Sequence, residues 1–183
     1  MIEKLKGIDY FLFSAINGFH SPIIDKVSVF ISSKYFVLFL LIPFLLSLKL
    51  KEKWIYVLFF SALSIGFVDF TNYHFFKPFF ARSRPCYNLK LINTIHSVVE
   101  CGGKFGFMSS HAANSFAFCG LFQIICRPTR KFILFSFVWG LLVCFSRVQL
   151  GLHFPADVFF GAIYGFSISL TFIYLHNKFL FQL

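Results

Sequence analysis

Five long apolar stretches run through the chain, at residues 35–50, 54–76, 109–126, 132–150 and 155–176. Each approaches the ~20 residues that a helix needs to cross the hydrocarbon layer of a bilayer. In that layer no water is present to bond backbone amides, so such a stretch must satisfy its own N–H and C=O groups as helix. The first and third are slightly short for the rule, which leaves their bounds soft. Composition agrees. The chain is 58% hydrophobic and 13% charged, with a mean hydropathy of +0.77 and 31 Phe, whereas a soluble domain carries about 25% charged residues. A very apolar soluble bundle is the alternative, and several separate near-spanning runs argue against it. The expectation is an all-α integral membrane bundle of about five transmembrane helices.

One or two interfacial helices are expected before the bundle. Residues 3–19 put Leu5, Ile8, Leu12, Ala15, Ile16 and Phe19 at helical spacing, with Glu3, Lys4, Lys6 and Asp9 between them, the pattern of an amphipathic helix on a membrane surface. Residues 23–32 read as a second short helix, interrupted by Ser32-Ser33-Lys34. The division is therefore 1–34 interfacial and 35–183 membrane core, a single domain overall without repeat or linker. No cleavable leader is expected, because no small-residue cleavage site follows an apolar stretch near Met1.

The net charge of +10 would suggest nucleic acid in a soluble protein. Here the cations sit at the ends of apolar runs, where they reach headgroups or an anionic substrate, so no nucleic-acid partner is expected. Helix connections alternate sides. Lys49, Lys51, Lys53, Arg127, Arg130, Lys131 and Lys178 share the side that the positive-inside rule makes cytoplasmic. Lys77, Arg82, Arg84, Lys90, Lys104 and Arg147 crowd the other. Charge counting settles orientation only if catalysis accounts for that second group.

Three segments meet on this second side: Lys77 to Arg84-Pro85, Met108-Ser109-Ser110-His111, and Ser146-Arg147 through His153 to Asp157. Convergent Lys77, Arg84 and Arg147 suit a phosphate and the charge of its transition state. Ser109 and Ser110 open a helix, where free N–H groups and the dipole favour an anion. His153 and Asp157 are spaced so that a carboxylate can hold one ring nitrogen and sharpen the other as a nucleophile. His111 is left to donate a proton to a leaving oxygen. Singly, these residues read as snorkelling anchors, a local ion pair and a helix N-cap; their joint, ordered occurrence on one face outweighs those readings.

The ordered set resembles the three-part signature of the PAP2 (type-2 phosphatidic acid phosphatase) and vanadium haloperoxidase superfamily. That signature reads Lys, six residues, Arg-Pro; then Pro-Ser-Gly-His; then Ser-Arg, five residues, His, three residues, Asp. The first and third parts match fully. In the second, Met108 stands for Pro and Ser110 for Gly, which alters the anion pocket more than the chemistry. The resemblance runs from Lys77 to Asp157 and implies a small bacterial membrane lipid phosphatase. It implies that His153 attacks phosphorus, that Asp157 orients it, and that His111 protonates the leaving group. It implies Lys77, Arg84, Ser109, Ser110 and Arg147 as phosphate ligands, with no metal and no cofactor. It also implies an inner-membrane protein whose site faces the periplasm or cell exterior.

The expected function is hydrolysis of a phosphate or diphosphate monoester of a membrane lipid, leaning to undecaprenyl diphosphate. The alternatives are a lipid A phosphatase or a phosphatidylglycerophosphate or phosphatidate phosphatase. A lipid phosphotransferase and a non-catalytic transporter or scaffold are alternatives of other classes. A haloperoxidase of this superfamily would be soluble. The partners expected are the lipid substrate and the bilayer; the sequence does not set the oligomeric state. Two further readings concern single residues. Asp69, eight positions before Lys77, needs a partner inside the membrane, and Asn114 is the candidate. Cys119, Cys126 and Cys144 read as small core residues. Cys86 and Cys101 share the long loop and either pair, as an oxidising compartment would favour, or remain free thiols.

Overall fold

The computed structural model describes residues 2–33, 53–89, 91–126 and 130–180. The expected first span, 35–50, lies outside them. The elements are α1 (Ile2–Asn17), α2 (Pro22–Ile31), α3 (Lys53–Thr71), a wide turn (Asn72–Phe76), α4 (Lys77–Phe80), a tight turn (Pro85–Tyr87), α5 (Ser110–Cys126), α6 (Arg130–Gln149) and α7 (Pro155–Leu180). Among the described residues there is no strand, and only Ser83 and Phe105 form an isolated antiparallel bridge. The stretch Pro155–Leu175 of α7 is long and apolar enough to cross a membrane, and Ile133–Gln149 of α6 is a shorter apolar segment.

Helix α5 is the centre of the bundle, packed along α7 and also on α3 and α6. Lipid tails are as apolar as leucine, so helices in a membrane associate by close van der Waals fit at small residues. That fit is visible here. A Cβ at Gly161 would lie 2.7 Å from the carbonyl of Ser109, and one at Gly165 would collide with the backbone of Ala113. Ala112, Ala113 and Ala117 are completely buried. The close α5–α7 approach therefore brings Ser109, at the head of α5, against the first turn of α7.

Helix α1 does more than rest on a surface. Leu5, Ile8, Leu12 and Phe19 do face outward, as an interfacial helix requires. The opposite face, with Asp9, Phe13 and Asn17, is buried against the bundle. Phe13 packs with Val148, Phe154 and Val158 at the end of α6 and the start of α7. Asn17 donates to the carbonyls of His96 and Gln149 at 2.7 and 2.8 Å. Helix α2 starts at an N-cap, Ser21, whose hydroxyl accepts from Ile24 N–H. Its Asp25 accepts from Gln149 at 2.8 Å and lies 2.9 Å from His96 Nε2. Polar side chains thus fasten both N-terminal helices to the long loop and to the end of α6.

The second apolar run continues beyond its expected end at 76. Lys77 N–H bonds the carbonyl of Asn72, five residues back, and α4 then carries the chain through Pro78 to Phe80. A wide turn of this kind relieves the crowding that a proline ring imposes on the preceding turn. Asp69 finds its expected partner: Asn114 Nδ2 donates to it at 3.0 Å. In the long loop Cys86 and Cys101 form a disulfide, with Cα atoms 6.4 Å apart. Closure of a loop of this size constrains the unfolded chain by ~3 kcal/mol in the simple entropy treatment. The ring of Tyr87 spans the same loop, its hydroxyl donating to the carbonyl of Gly102 at 3.1 Å.

Helix α6 ends in a left-handed glycine. Gly151 has φ +74°; its N–H bonds Val148 and that of Leu152 bonds Arg147, at 3.0 and 3.1 Å. This pair of bonds is the Schellman pattern, which satisfies the last helical carbonyls and reverses the chain. The reversal delivers His153. A side chain at 151 would be strained there and would meet Ile95 at 2.9 Å. Gly151→Ala is expected to cost about 1–2 kcal/mol, the penalty for a Cβ in left-handed backbone, read as a lowered midpoint in denaturant or thermal unfolding of the detergent-solubilised protein.

Candidate active site

The third segment builds the floor. The carbonyl of Arg147 accepts from the N–H of both Leu152 and His153, so one residue anchors the turn that carries the histidine. His153 and Asp157 are almost completely buried. His153 Nδ1 lies 3.6 Å from Asp157 Oδ2, slightly beyond a hydrogen bond. That same Oδ2 accepts from Phe154 N–H at 2.9 Å. The other ring nitrogen, Nε2, lies 3.3 Å from Arg84 Nη1. The ring is therefore oriented with Nδ1 toward a carboxylate and Nε2 toward a cation.

The first segment supplies the cations. After α4, Ala81 takes a left-handed conformation (φ 43°) and turns the chain back toward the bundle. Residues 82–84 then pair with 104–106: Arg84 N–H bonds Lys104 at 3.0 Å, and Gly106 N–H bonds Arg82 at 2.8 Å. Gly106 is a close-approach glycine, since a Cβ there would sit 3.1 Å from Asp157 Oδ2 and 3.0 Å from Arg84 Cγ. Arg84 and Arg147 are both buried, and the Nε of each has no hydrogen-bond partner among the described residues. A buried donor without a partner is costly. Two of them beside a buried histidine mark a place for an anion.

The electrostatics are consistent with one shared space. Burial lowers the Lys77 pKa, the nearby charges of Arg84 and Arg147 lower it further, and Asp69 partly opposes them. Arg84 is likewise lowered by burial, with Asp157 and Tyr87 acting against the shift. His153 is held well below the usual histidine range, first by burial and then by Arg84, Arg147 and Lys77. An imidazole so placed stays neutral, with a lone pair available.

The second segment is held from an unexpected quarter. Asn72, fully buried in the wide turn, donates to the carbonyl of Met108 and to Ser110 Oγ at 2.9 Å each, and accepts from Met108 N–H at 3.2 Å. Ser109 is also buried. Its N–H is committed to the carbonyl of Asp157 at 3.1 Å, and its hydroxyl lies 3.5 Å from Ala112 N in the capping position. Ser109 thus joins α5 to α7, and its amide is not free for an anion as the sequence suggested. His111, in the first turn of α5, is exposed and lies in the field of Arg147, His153, Arg84 and Lys77. The structure thus gathers His153, Asp157, His111, Lys77, Arg84, Arg147, Ser109 and Ser110 at one end of the bundle. Sequence reasoning missed Asn72 and Gly106, Arg82 as a contact of Asp157, and Asp9 as the second partner of Arg82. Among the described residues no group of three or more His, Cys, Asp or Glu has the arrangement of a metal site.

A buried histidine–carboxylate pair beside converging cations is an arrangement suited to phosphoryl chemistry. The model of the PAP2 superfamily matches residues 53–181, and the chain belongs to that superfamily. Among curated relatives, a lipid A 4′-phosphatase of Porphyromonas gingivalis is 31% identical, over 98% of this chain and 79% of that protein. A lipid A 4′-phosphatase of Bacteroides thetaiotaomicron is 33% identical, over 97% of this chain and 81% of that protein. Two crystal structures share the fold. The transmembrane PAP2-type phosphatidylglycerolphosphate phosphatase of Bacillus subtilis has a TM-score of 0.73 and 21% identity, over 96% of this chain and 88% of that one. Aquifex aeolicus LpxE has a TM-score of 0.68 and 24% identity, over 90% and 94%.

Proposed function

We propose that the chain is a lipid A 4′-phosphatase of the bacterial inner membrane, acting at the periplasmic face through a phosphohistidine. The observation that carries the chemistry is the buried His153 with Nε2 beside Arg84, near two guanidinium groups whose Nε donors are unpaired among the described residues. The substrate rests on the two curated relatives, both lipid A 4′-phosphatases. They favour that alternative over the undecaprenyl diphosphate to which the sequence leaned. The Cys86–Cys101 disulfide supports an oxidising compartment for this face.

In the proposed reaction Lys77, Arg84 and Arg147 hold the phosphoryl oxygens and stabilise the charge that develops on them. His153 Nε2 attacks phosphorus, and the bond from phosphorus to the sugar oxygen breaks. That oxygen takes its proton from His111. Asp157 stabilises the positive charge that develops on the ring. Water, relieved of a proton by His111, then attacks the phosphohistidine; the N–P bond breaks, inorganic phosphate leaves, and His153 is neutral again. The cations do the electrostatic work for which many phosphatases use metal ions.

The test is phosphate release by the purified protein from bisphosphorylated lipid A, undecaprenyl diphosphate, phosphatidylglycerophosphate and phosphatidate. We expect preference for lipid A with loss of the 4′-phosphate, activity that survives EDTA, and inhibition by vanadate, which adopts the geometry of the transition state. Preference for another lipid would overturn the substrate, and loss on chelation with recovery on one added metal would overturn the metal-free chemistry.

A pH dependence follows from His153. Burial and its three cationic neighbours keep the ring unprotonated, so the acid limb of kcat/KM is expected below the usual histidine range. Arg84→Gln removes the cation nearest Nε2. The imidazolium is then less disfavoured, the His153 pKa rises, and the acid limb moves to higher pH, besides a fall in rate. A limb that stays in place would separate Arg84 from control of this group.

A further inference from the structure

Arg82 is not used by the reaction described above, yet it is tied to the site more tightly than the long loop requires. Its Nη1 donates to Asp157 Oδ1 at 2.8 Å. Its Nη2 donates to Asp9 on α1, and its guanidinium lies over the ring of Phe154, 4.4 Å from the centroid. Asp9 is buried as well, and its second oxygen accepts from Ala156 N–H at 2.8 Å. Both oxygens of Asp157 are therefore engaged. Oδ1 is occupied by Arg82, while Oδ2 meets Phe154 N–H and faces His153 Nδ1.

We infer that Arg82, held by Asp9, is a positioning residue for the His153–Asp157 pair, and that α1 is thereby part of the catalytic apparatus. The inference rests on the proposed role of His153. The reasoning is geometric. A carboxylate on the first turn of α7 can rotate about its own bond, and only the rotamer with one oxygen toward His153 fixes the ring. A charge-assisted bond from a guanidinium that is itself fixed at its other terminal nitrogen resists such rotation better than a single amide bond does. Here its two terminal nitrogens bridge Asp157 and Asp9, so the carboxylate on α1 sets the angle of the guanidinium and the guanidinium sets that of Asp157. Partners one step removed from a reacting group commonly change activity 10- to 100-fold when lost. All three members lie in segments far apart in sequence, which makes the bridge a link between the N-terminal helices and the chemistry.

The test uses the full-length protein in detergent with para-nitrophenyl phosphate as well as lipid A, so that a wrong lipid assignment and a wrong role for Arg82 give different results. A protein active on the small ester but not on lipid A contradicts the substrate alone. For Arg82→Gln we expect kcat to fall about 10- to 100-fold with little change in KM. Arg82→Lys, which keeps the charge but loses the fork, should fall between wild type and Gln. Asp9→Asn should lower kcat in the same direction by a smaller factor, and tests the bridge should Arg82→Gln fail to fold. The discriminating readout is the double variant with Asp157→Asn. If Arg82 acts through Asp157, Arg82→Gln costs no further rate once Asp157 is Asn. Wild-type kcat in Arg82→Gln and Asp9→Asn, or losses that multiply in the double variant, would overturn the inference.

Discussion

His153→Ala is expected to lower kcat by about 10⁴-fold or more, the scale seen when a covalent nucleophile is removed, and to abolish any burst of phosphoenzyme. The expectation rests on placement. His153 is buried with Nε2 beside Arg84, and the other histidine near the site, His111, is exposed on a different helix. No second nucleophile stands where Nε2 stands. The proposed anion site of Arg84, Arg147 and Lys77 keeps its cations in this variant, so vanadate or inorganic phosphate should still bind. Rapid-quench assays of phosphate release, with a competition assay for vanadate, check both parts. Lost vanadate binding together with lost turnover would point to collapse of the site instead.

His111→Ala is expected to lower kcat by about 10²–10⁴-fold on a sugar phosphate, the usual contribution of a general acid. The loss in the rate of phosphoenzyme formation should shrink on para-nitrophenyl phosphate, whose leaving group departs without a proton. His111 is exposed in the first turn of α5. Phosphoenzyme should therefore still form from the good leaving group and then decay slowly, because the proposed mechanism also uses His111 to activate water. Equal losses in the rate of phosphoenzyme formation on both esters would remove His111 from the acid role.

The residues that share a short string of sequence were legible, and those that act across long separations were not. Ser146 to Asp157 spans one turn, so its spacing already brings a carboxylate to an imidazole; the Schellman geometry at Gly151 only realises it. Asp69 was legible for a different reason, since a carboxylate in an apolar run must find a partner and Asn114 was the polar side chain at matching depth. Asp9 was not. It falls among the charged positions of an amphipathic pattern, which read as solvent-facing, and its partner Arg82 lies 73 residues away. Arg82 itself looked like one more cation at a membrane boundary. Asn72 sits inside an apolar run where a lone amide carries no directional signal, although it braces Met108 and Ser110. Ser109 was misread in part: the head of a helix suggests a free amide, and only the close packing of α7 shows that Asp157 already takes it. The disulfide was undecidable because separation along the chain says nothing about whether two Cα atoms come within reach. Substrate choice lay beyond the motifs altogether, because they describe the phosphate and not the lipid that carries it.

The most direct measurement of the central claim is to quench the purified enzyme during turnover of ³²P-labelled substrate and map the labelled peptide by mass spectrometry under conditions that preserve N–P bonds. Acid-labile, base-stable phosphate on residue 153, absent from His153→Ala, is the expected result. Label on another residue, or steady turnover with no covalent phosphate at any quench time and a His153→Ala variant that still releases phosphate, would contradict it.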